Sequence, residues 1–216
     1  MAVRLLKIDQ SVIRQHYFLN PNDNCYYIHE YTANEGYAHS EANNLILNLK
    51  IRPTETRRLS HKRSAITSCI SDLTALIAPG IQKDGPESYT VTAIPPSLVS
   101  GDPDYDDRMQ QIAKGIAINT GIHYADIVEQ SESYTSSHSA PNGSRKRPED
   151  LIKIYSIVDS PPSRRVFILD DVLVTGSHYS AFRDILLASY PDLKVIGLFI
   201  ARRSIQNDPE GFCFKD

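Results

Sequence analysis

The segment Val166-Phe167-Ile168-Leu169-Asp170-Asp171-Val172-Leu173-Val174-Thr175-Gly176-Ser177-His178 decides how this chain folds. Four apolar residues, Val166 to Leu169, read as a strand buried on both faces, the pattern of a parallel sheet covered by helices. Two acids stand at its carboxyl end, and a short loop of small and hydroxyl-bearing residues opens a helix. Open α/β sheets place ligands outside the carboxyl ends of their strands. The backbone N–H groups of such a loop, backed by a helix N-terminus, suit a phosphate. Gly176 lets the backbone approach that phosphate closely. Asp170 and Asp171 suit sugar hydroxyls, or a metal ion whose charge offsets theirs.

Outward from this segment, the pattern predicts strands over Leu151–Val158 and Val195–Ile200, with a helix over Tyr179–Tyr190 between the last two core strands. Upstream, Tyr89–Ile94 reads as a buried strand cut by Pro95-Pro96, followed by a helix from about Asp106 to Asn119 and a strand over Tyr124–Val128. Residues 129–149 form a long polar loop, the composition of a lid or a disordered segment. Nearer the N-terminus, Val3–Ile8 and Cys25–Tyr31 read as strands, and Glu41–Lys50 as a helix. Arg63–Ala78 is a clearer helix, with Ile66, Cys69, Ile70, Leu73, Leu76 and Ile77 in one stripe and Pro79-Gly80 as its expected stop. The expectation is a single α/β domain with a central parallel sheet of about five strands. Residues 88–203 form its core, and residues 1–85 pack as an N-terminal hood.

Composition agrees with a globular chain. At 216 residues there is enough for one sizeable core, and 41% hydrophobic with 23% charged residues are ordinary values. Lys+Arg 23 against Asp+Glu 26 gives a net charge of -3, which argues against direct nucleic-acid binding. No apolar run of roughly 20 residues suggests a membrane span. Cys25, Cys69 and Cys213 are odd in number and far apart, so neither a disulfide framework nor a paired-cysteine zinc site is expected, and the default location is a reducing cytoplasm.

The thirteen-residue segment resembles the signature with which type I phosphoribosyltransferases bind 5-phosphoribosyl 1-diphosphate (PRPP). The resemblance implies that Asp170 and Asp171 hold the ribose hydroxyls, and meet a Mg²⁺ ion indirectly through PRPP. It implies that Val174, Thr175, Gly176, Ser177 and His178 hold the 5′-phosphate. Val174 and His178 depart from the usual residues, and His178 removes one hydroxyl from the cradle. The order of segments from about residue 43 to residue 203 is similar to ComF-like phosphoribosyltransferases, without their zinc ribbon, since no paired cysteines precede the domain. By the same resemblance the loop from Pro95 to Arg108, with Pro96, Ser97 and Arg108, meets pyrophosphate, and the lid supplies His138 and Arg145 as catalytic groups, with Lys146 and Arg147 beside them. Arg202-Arg203 would lie near a nucleobase.

Other features read more plainly. Asp106 and Asp107, with Asp104, suit a Mg²⁺ ion or, more plainly, Asp106 and Asp107 suit helix capping; Lys50 suits the end of its helix dipole; and Arg57 to Arg63 reads as a nucleic-acid contact or, more often, the solvated start of a helix. Tyr26, Tyr27 and Tyr31 read as packing. The resemblance implies phosphoribosyl transfer from PRPP to a nitrogenous acceptor, possible as a homodimer or larger assembly. The alternative is a non-catalytic PRPP- or nucleotide-sensing module of a defence, DNA-uptake or regulatory assembly.

Overall fold

A computed structural model of the chain describes residues 3–134 and 146–204. The segment that decides the fold lies at its centre. Strand β7 (Arg165–Leu173) contains both acids, and its residues from Val166 to Leu169 are all buried. It pairs in parallel with β3 (Tyr89–Ala93) on one side and β8 (Lys194–Ser204) on the other. Beyond β8 comes β2 (Asn24–Thr32), also parallel, and then the two-residue antiparallel edge β1 (Leu6–Lys7). Beyond β3 comes the short parallel β4 (His123–Tyr124). The order β1-β2-β8-β7-β3-β4 is therefore six strands, five of them parallel.

Helices cover both faces. On one side α1 (Glu41–Leu49), α2 (Leu59–Asp84) and α3 (Arg108–Thr120) bury Ile46, Leu49, Cys69, Leu73, Ile112 and Ile116. On the other, α4 (Pro148–Ile152) and α5 (Ser177–Ser189) bury Leu151, Phe182 and Leu186 with a hairpin of β5 (Val128–Gln130) and β6 (Tyr155–Ile157). The first 85 residues thus do more than cover a core. Cys25 to Tyr31 enter the central sheet beside β8, because Cys25, Tyr27, Ile28 and Tyr31 have apolar surface for both helical layers.

Three elements differ from their sequence reading. Helix α2 runs through Pro79 to Asp84, with Gly85 as its C-cap. Pro79 deletes one backbone donor, but Ile81, 2% exposed, anchors the following turn in the core. Leu151–Val158 divides into α4 and β6, since Pro148 at the first helical turn with Glu149 and Asp150 is a helix start. Tyr124–Val128 divides between β4 on the sheet and β5 in the hairpin. Helix α2 has the length and mean hydropathy of a membrane-crossing segment, and its apolar stripe packs into the core.

Candidate functional site

The site lies where β7 turns into α5. Strand alternation sends Asp170 and Asp171 to opposite sides of the sheet. Asp171, 6% exposed, meets the helical layer of α1 and α3. It accepts from Arg108 Nη2 at 2.5 Å, and Lys50 Nζ stands 3.3 Å away. Arg108 also donates to Asp106 at 2.6 Å, and Asp106 accepts from Lys62 Nζ at 2.7 Å. Lys62, a buried residue, further donates to the carbonyls of Leu49 and Ile51 at 2.8 Å each. Leu49 ends α1 and Ile51 follows it, so Lys62 ties the end of α1, where Lys50 sits, to Asp106 just before α3.

Burial and neighbouring charge set the protonation of this cluster. Burial pushes the Asp170 carboxyl up, and the charge of Asp171 adds to it, to about 7. Burial opposes the charge of Arg108, but Asp171 and Asp106 outweigh it and hold its pKa above the ordinary value. Lys50 moves down under burial, with Asp171 resisting. Burial likewise lowers Lys62.

The loop after the acids is shaped from behind. A segment from Ile13 to Asn20, here called the strap, runs beneath it. His16 Nδ1 donates to the Val174 carbonyl at 2.5 Å, and the Phe18 N–H donates to the Thr175 carbonyl at 3.0 Å. Gly176 has φ +86°, and a Cβ there would stand 2.8 Å from Leu19 Cδ2. The glycine is therefore required by its own backbone conformation and by the strap. The Gly176 carbonyl accepts from Ser180 N–H at 2.8 Å as the first bond of α5. The N–H groups of Ser177, His178 and Tyr179 precede any intrahelical acceptor. Among the described residues, the Thr175 and Gly176 N–H groups donate to no protein acceptor. Thr175 and Ser177 are buried, their hydroxyls 3.4 Å apart.

A cavity of about 120 Å3 is lined by Lys50, Pro96, Ser97, Arg108, Asp170, Asp171 and the loop from Val174 to His178, among others. Its chemistry is divided: backbone donors and hydroxyls on the loop side, carboxylates at the strand end, and two cations on the α1–α3 side. A wider cleft of about 700 Å3 between α1 and α2 is lined by His29, Asn44, Asn48, His61 and Asp72 among others, with no Lys or Arg among its described lining residues. It offers no comparable set of anion donors.

Of the residues expected from sequence, Pro96, Ser97, Arg108, Asp170, Asp171 and Val174 to His178 come together here. His138 and Arg145 lie outside the described residues. His178 faces Tyr134, whose hydroxyl is 3.3 Å from its Nδ1, and burial lowers its pKa to about 4, so the imidazole is neutral. Arg202 takes a different place from the one expected. It is buried, donates to Gln15 at 2.9 Å and Glu30 at 2.5 Å, and lies over the Tyr27 ring. Neither it nor Arg203 lines the cavity. The Asp107 side chain makes no capping bond and accepts from Gln111 instead, whereas Asp106 accepts from the Arg108 N–H at 3.2 Å. Sequence reading passes over His16 and counts Lys62 in a solvated run, whereas Lys62 is buried. Lys62 was legible in principle, since it falls four residues before Ile66 and extends the buried stripe of α2. His16 had no signal, because its partner lies 158 residues away.

No protein-family model matches the chain, and no curated protein matches it either.

Proposed function

We propose that this chain binds PRPP and transfers its phosphoribosyl group to a nitrogen nucleophile, releasing pyrophosphate. One observation carries the reading. Unpaired loop N–H groups and two carboxylates open into the same cavity at the carboxyl end of the central strand, 5′-phosphate chemistry on one side and ribose-hydroxyl chemistry on the other. The parallel sheet with this segment on its central strand is compatible with a type I phosphoribosyltransferase fold.

In this reading the loop from Val174 to His178 takes the 5′-phosphate, Asp170 and Asp171 accept from the ribose hydroxyls, and Arg108 and Lys50 take the diphosphate. The C1′–O bond breaks with its electron pair leaving on pyrophosphate, and the acceptor nitrogen supplies the pair for the new C1′–N bond. The acceptor then gives up its N–H proton. Positioning and charge stabilisation do most of this work. A cavity of about 120 Å3 is smaller than usual ligand pockets of roughly 300–1,000 Å3. Binding therefore requires Arg108 and Lys50 to exchange Asp171 for diphosphate oxygens, which widens the cavity and frees Asp171 for ribose. The donor set fits a Mg²⁺ ion carried in on the diphosphate, with Asp170 and Asp171 at hand. The described residues contain no cluster of three or more His, Cys, Asp or Glu able to form a protein cage.

The engagement of Asp171 by two cations in the described state favours a second reading, a PRPP sensor in which ligand binding releases this pair without turnover. Pyrophosphate release from PRPP and Mg²⁺ across a nucleobase panel, with PRPP binding measured in parallel, separates the two. Turnover with one base supports the transferase. Saturable binding without turnover supports the sensor. Failure to bind either PRPP or ribose 5-phosphate refutes both.

A further inference from the structure

We propose that His16 is a positioning residue for the phosphate loop, and that with the Phe18 N–H it turns the loop's amide groups into the cavity. The inference rests on the phosphate role given to that loop above.

A trans peptide points its carbonyl and the following N–H in opposite directions. The Val174 carbonyl is held by His16 Nδ1 at 2.5 Å, so the Thr175 N–H faces away from the strap. The Thr175 carbonyl is held by the Phe18 N–H at 3.0 Å, so the Gly176 N–H faces away from it too. Strap residues His16, Phe18 and Leu19 do not line the cavity, whereas Thr175 and Gly176 do. Away from the strap is therefore toward the cavity. Neither N–H has an acceptor among the described residues, an arrangement that is costly in a buried loop unless a ligand or water completes it. Two carbonyl anchors thus orient two successive donors alongside the first turn of α5.

The imidazole suits this task in one protonation form. Nδ1 must carry the proton to donate to the carbonyl, and Nε2 is buried with no partner among the described residues. The whole residue is 0% exposed. A second proton on Nε2 would place a charge in an apolar setting that already feels Arg202. Burial accordingly lowers the His16 pKa. His16 is a neutral, fixed donor.

Binding of ribose 5-phosphate and of Mg²⁺-pyrophosphate to full-length variants tests this. His16→Leu keeps the bulk but removes the donor, and His16→Asn keeps an N–H at the position of Nδ1. The expected result is a loss of roughly tenfold or more in ribose 5-phosphate affinity for His16→Leu, equivalent to about 1.4 kcal/mol. Pyrophosphate affinity stays unchanged, and His16→Asn recovers most of the lost affinity. Equal loss of both ligands in His16→Leu, or failure of Asn to rescue, overturns the positioning role in favour of a general structural one. Ribose 5-phosphate affinity unchanged in His16→Leu overturns it outright. If His16→Leu does not fold, His16→Gln, which sets its N–H one bond further out, is read by the same criteria. A wild-type chain that binds neither ribose 5-phosphate nor inorganic phosphate fails at the loop's phosphate role itself, a different outcome from wild-type binding that His16 substitutions leave untouched.

Discussion

Asp170 and Asp171 are neighbours in sequence, and their replacement by asparagine should move stability in opposite directions. Asp170 is charged against its surroundings: its carboxyl rises from 3.8 to about 7 in the folded chain, through burial first and the charge of Asp171 second. A folded-state pKa above the unfolded value means that protonation favours the native state. That contribution is complete below about pH 4 and is lost as pH rises through 7. At about 1.4 kcal/mol per pH unit, the ceiling on the penalty at pH 8 is about 4 kcal/mol. An asparagine carries no charge, and its Oδ1 still accepts from the Asp171 N–H, a bond of 2.8 Å. Asp170→Asn should therefore stabilise the chain by about 1–3 kcal/mol at pH 8, and by little at pH 4.5. Asp171→Asn removes the carboxylate that Arg108 and Lys50 share, while Arg108 keeps Asp106. Its expected cost is about 1.5–3 kcal/mol, that of a lost charge-assisted hydrogen bond. Urea unfolding of both variants at pH 4.5 and pH 8 reads the difference directly. Destabilisation by Asp170→Asn at pH 8, or an effect of Asp170→Asn that does not change with pH, would refute the electrostatic account of the pair. Both variants should lose ribose 5-phosphate binding whatever their stability.

Three further outcomes follow from the same geometry. Gly176→Ala should cost about 2 kcal/mol or more, since φ is +86° and the added Cβ meets Leu19 at 2.8 Å; thermal melts check this, and combining it with Leu19→Ala should recover only part of the loss. Arg108→Met should weaken pyrophosphate binding at least about tenfold while ribose 5-phosphate affinity holds or rises, because Asp171 loses a competitor; calorimetry with each ligand decides it. The neutral His178, its pKa lowered to about 4 by burial, should leave no inflection in ribose 5-phosphate affinity between about pH 5.5 and pH 7.5 beyond those of the phosphate and Asp170, and His178→Ala should keep that same profile.

What the sequence discloses depends on whether a signal is local. The run Val166 to Leu169, the two acids and Thr175-Gly176 are contiguous, and their placement on a central parallel strand follows from alternation and burial alone. The same locality holds for α1, which reads as a helix over Glu41–Lys50 and spans Glu41–Leu49. Failures arise where tertiary contact overrides a local rule. Pro79-Gly80 is a sound helix stop, yet burial of Ile81 outweighs the lost donor. Arg202 carries the charge expected of a ligand contact but spends it on Gln15 and Glu30. The purpose of Gly176 was legible only in part, since the atom that excludes a Cβ belongs to Leu19, far away in the chain.

The charge balance of the site explains why acids and bases had to be gathered together rather than bases alone. Lys50, Lys62 and Arg108 face Asp106 and Asp171 in a confined space. Buried cations without partners would be too costly to hold in a ligand-free fold. Asp171 supplies that partner, and Lys62 with Asp106 keeps Arg108 anchored by its other edge. In the proposed reaction the diphosphate replaces Asp171 at the cations, and the ribose hydroxyls replace the cations at Asp171. Each exchange keeps every charge hydrogen-bonded, so the barrier to opening is a matter of swapping partners. In that proposal Asp171 couples the two halves of the ligand, because it alone of the two acids pairs with the cations that take the diphosphate.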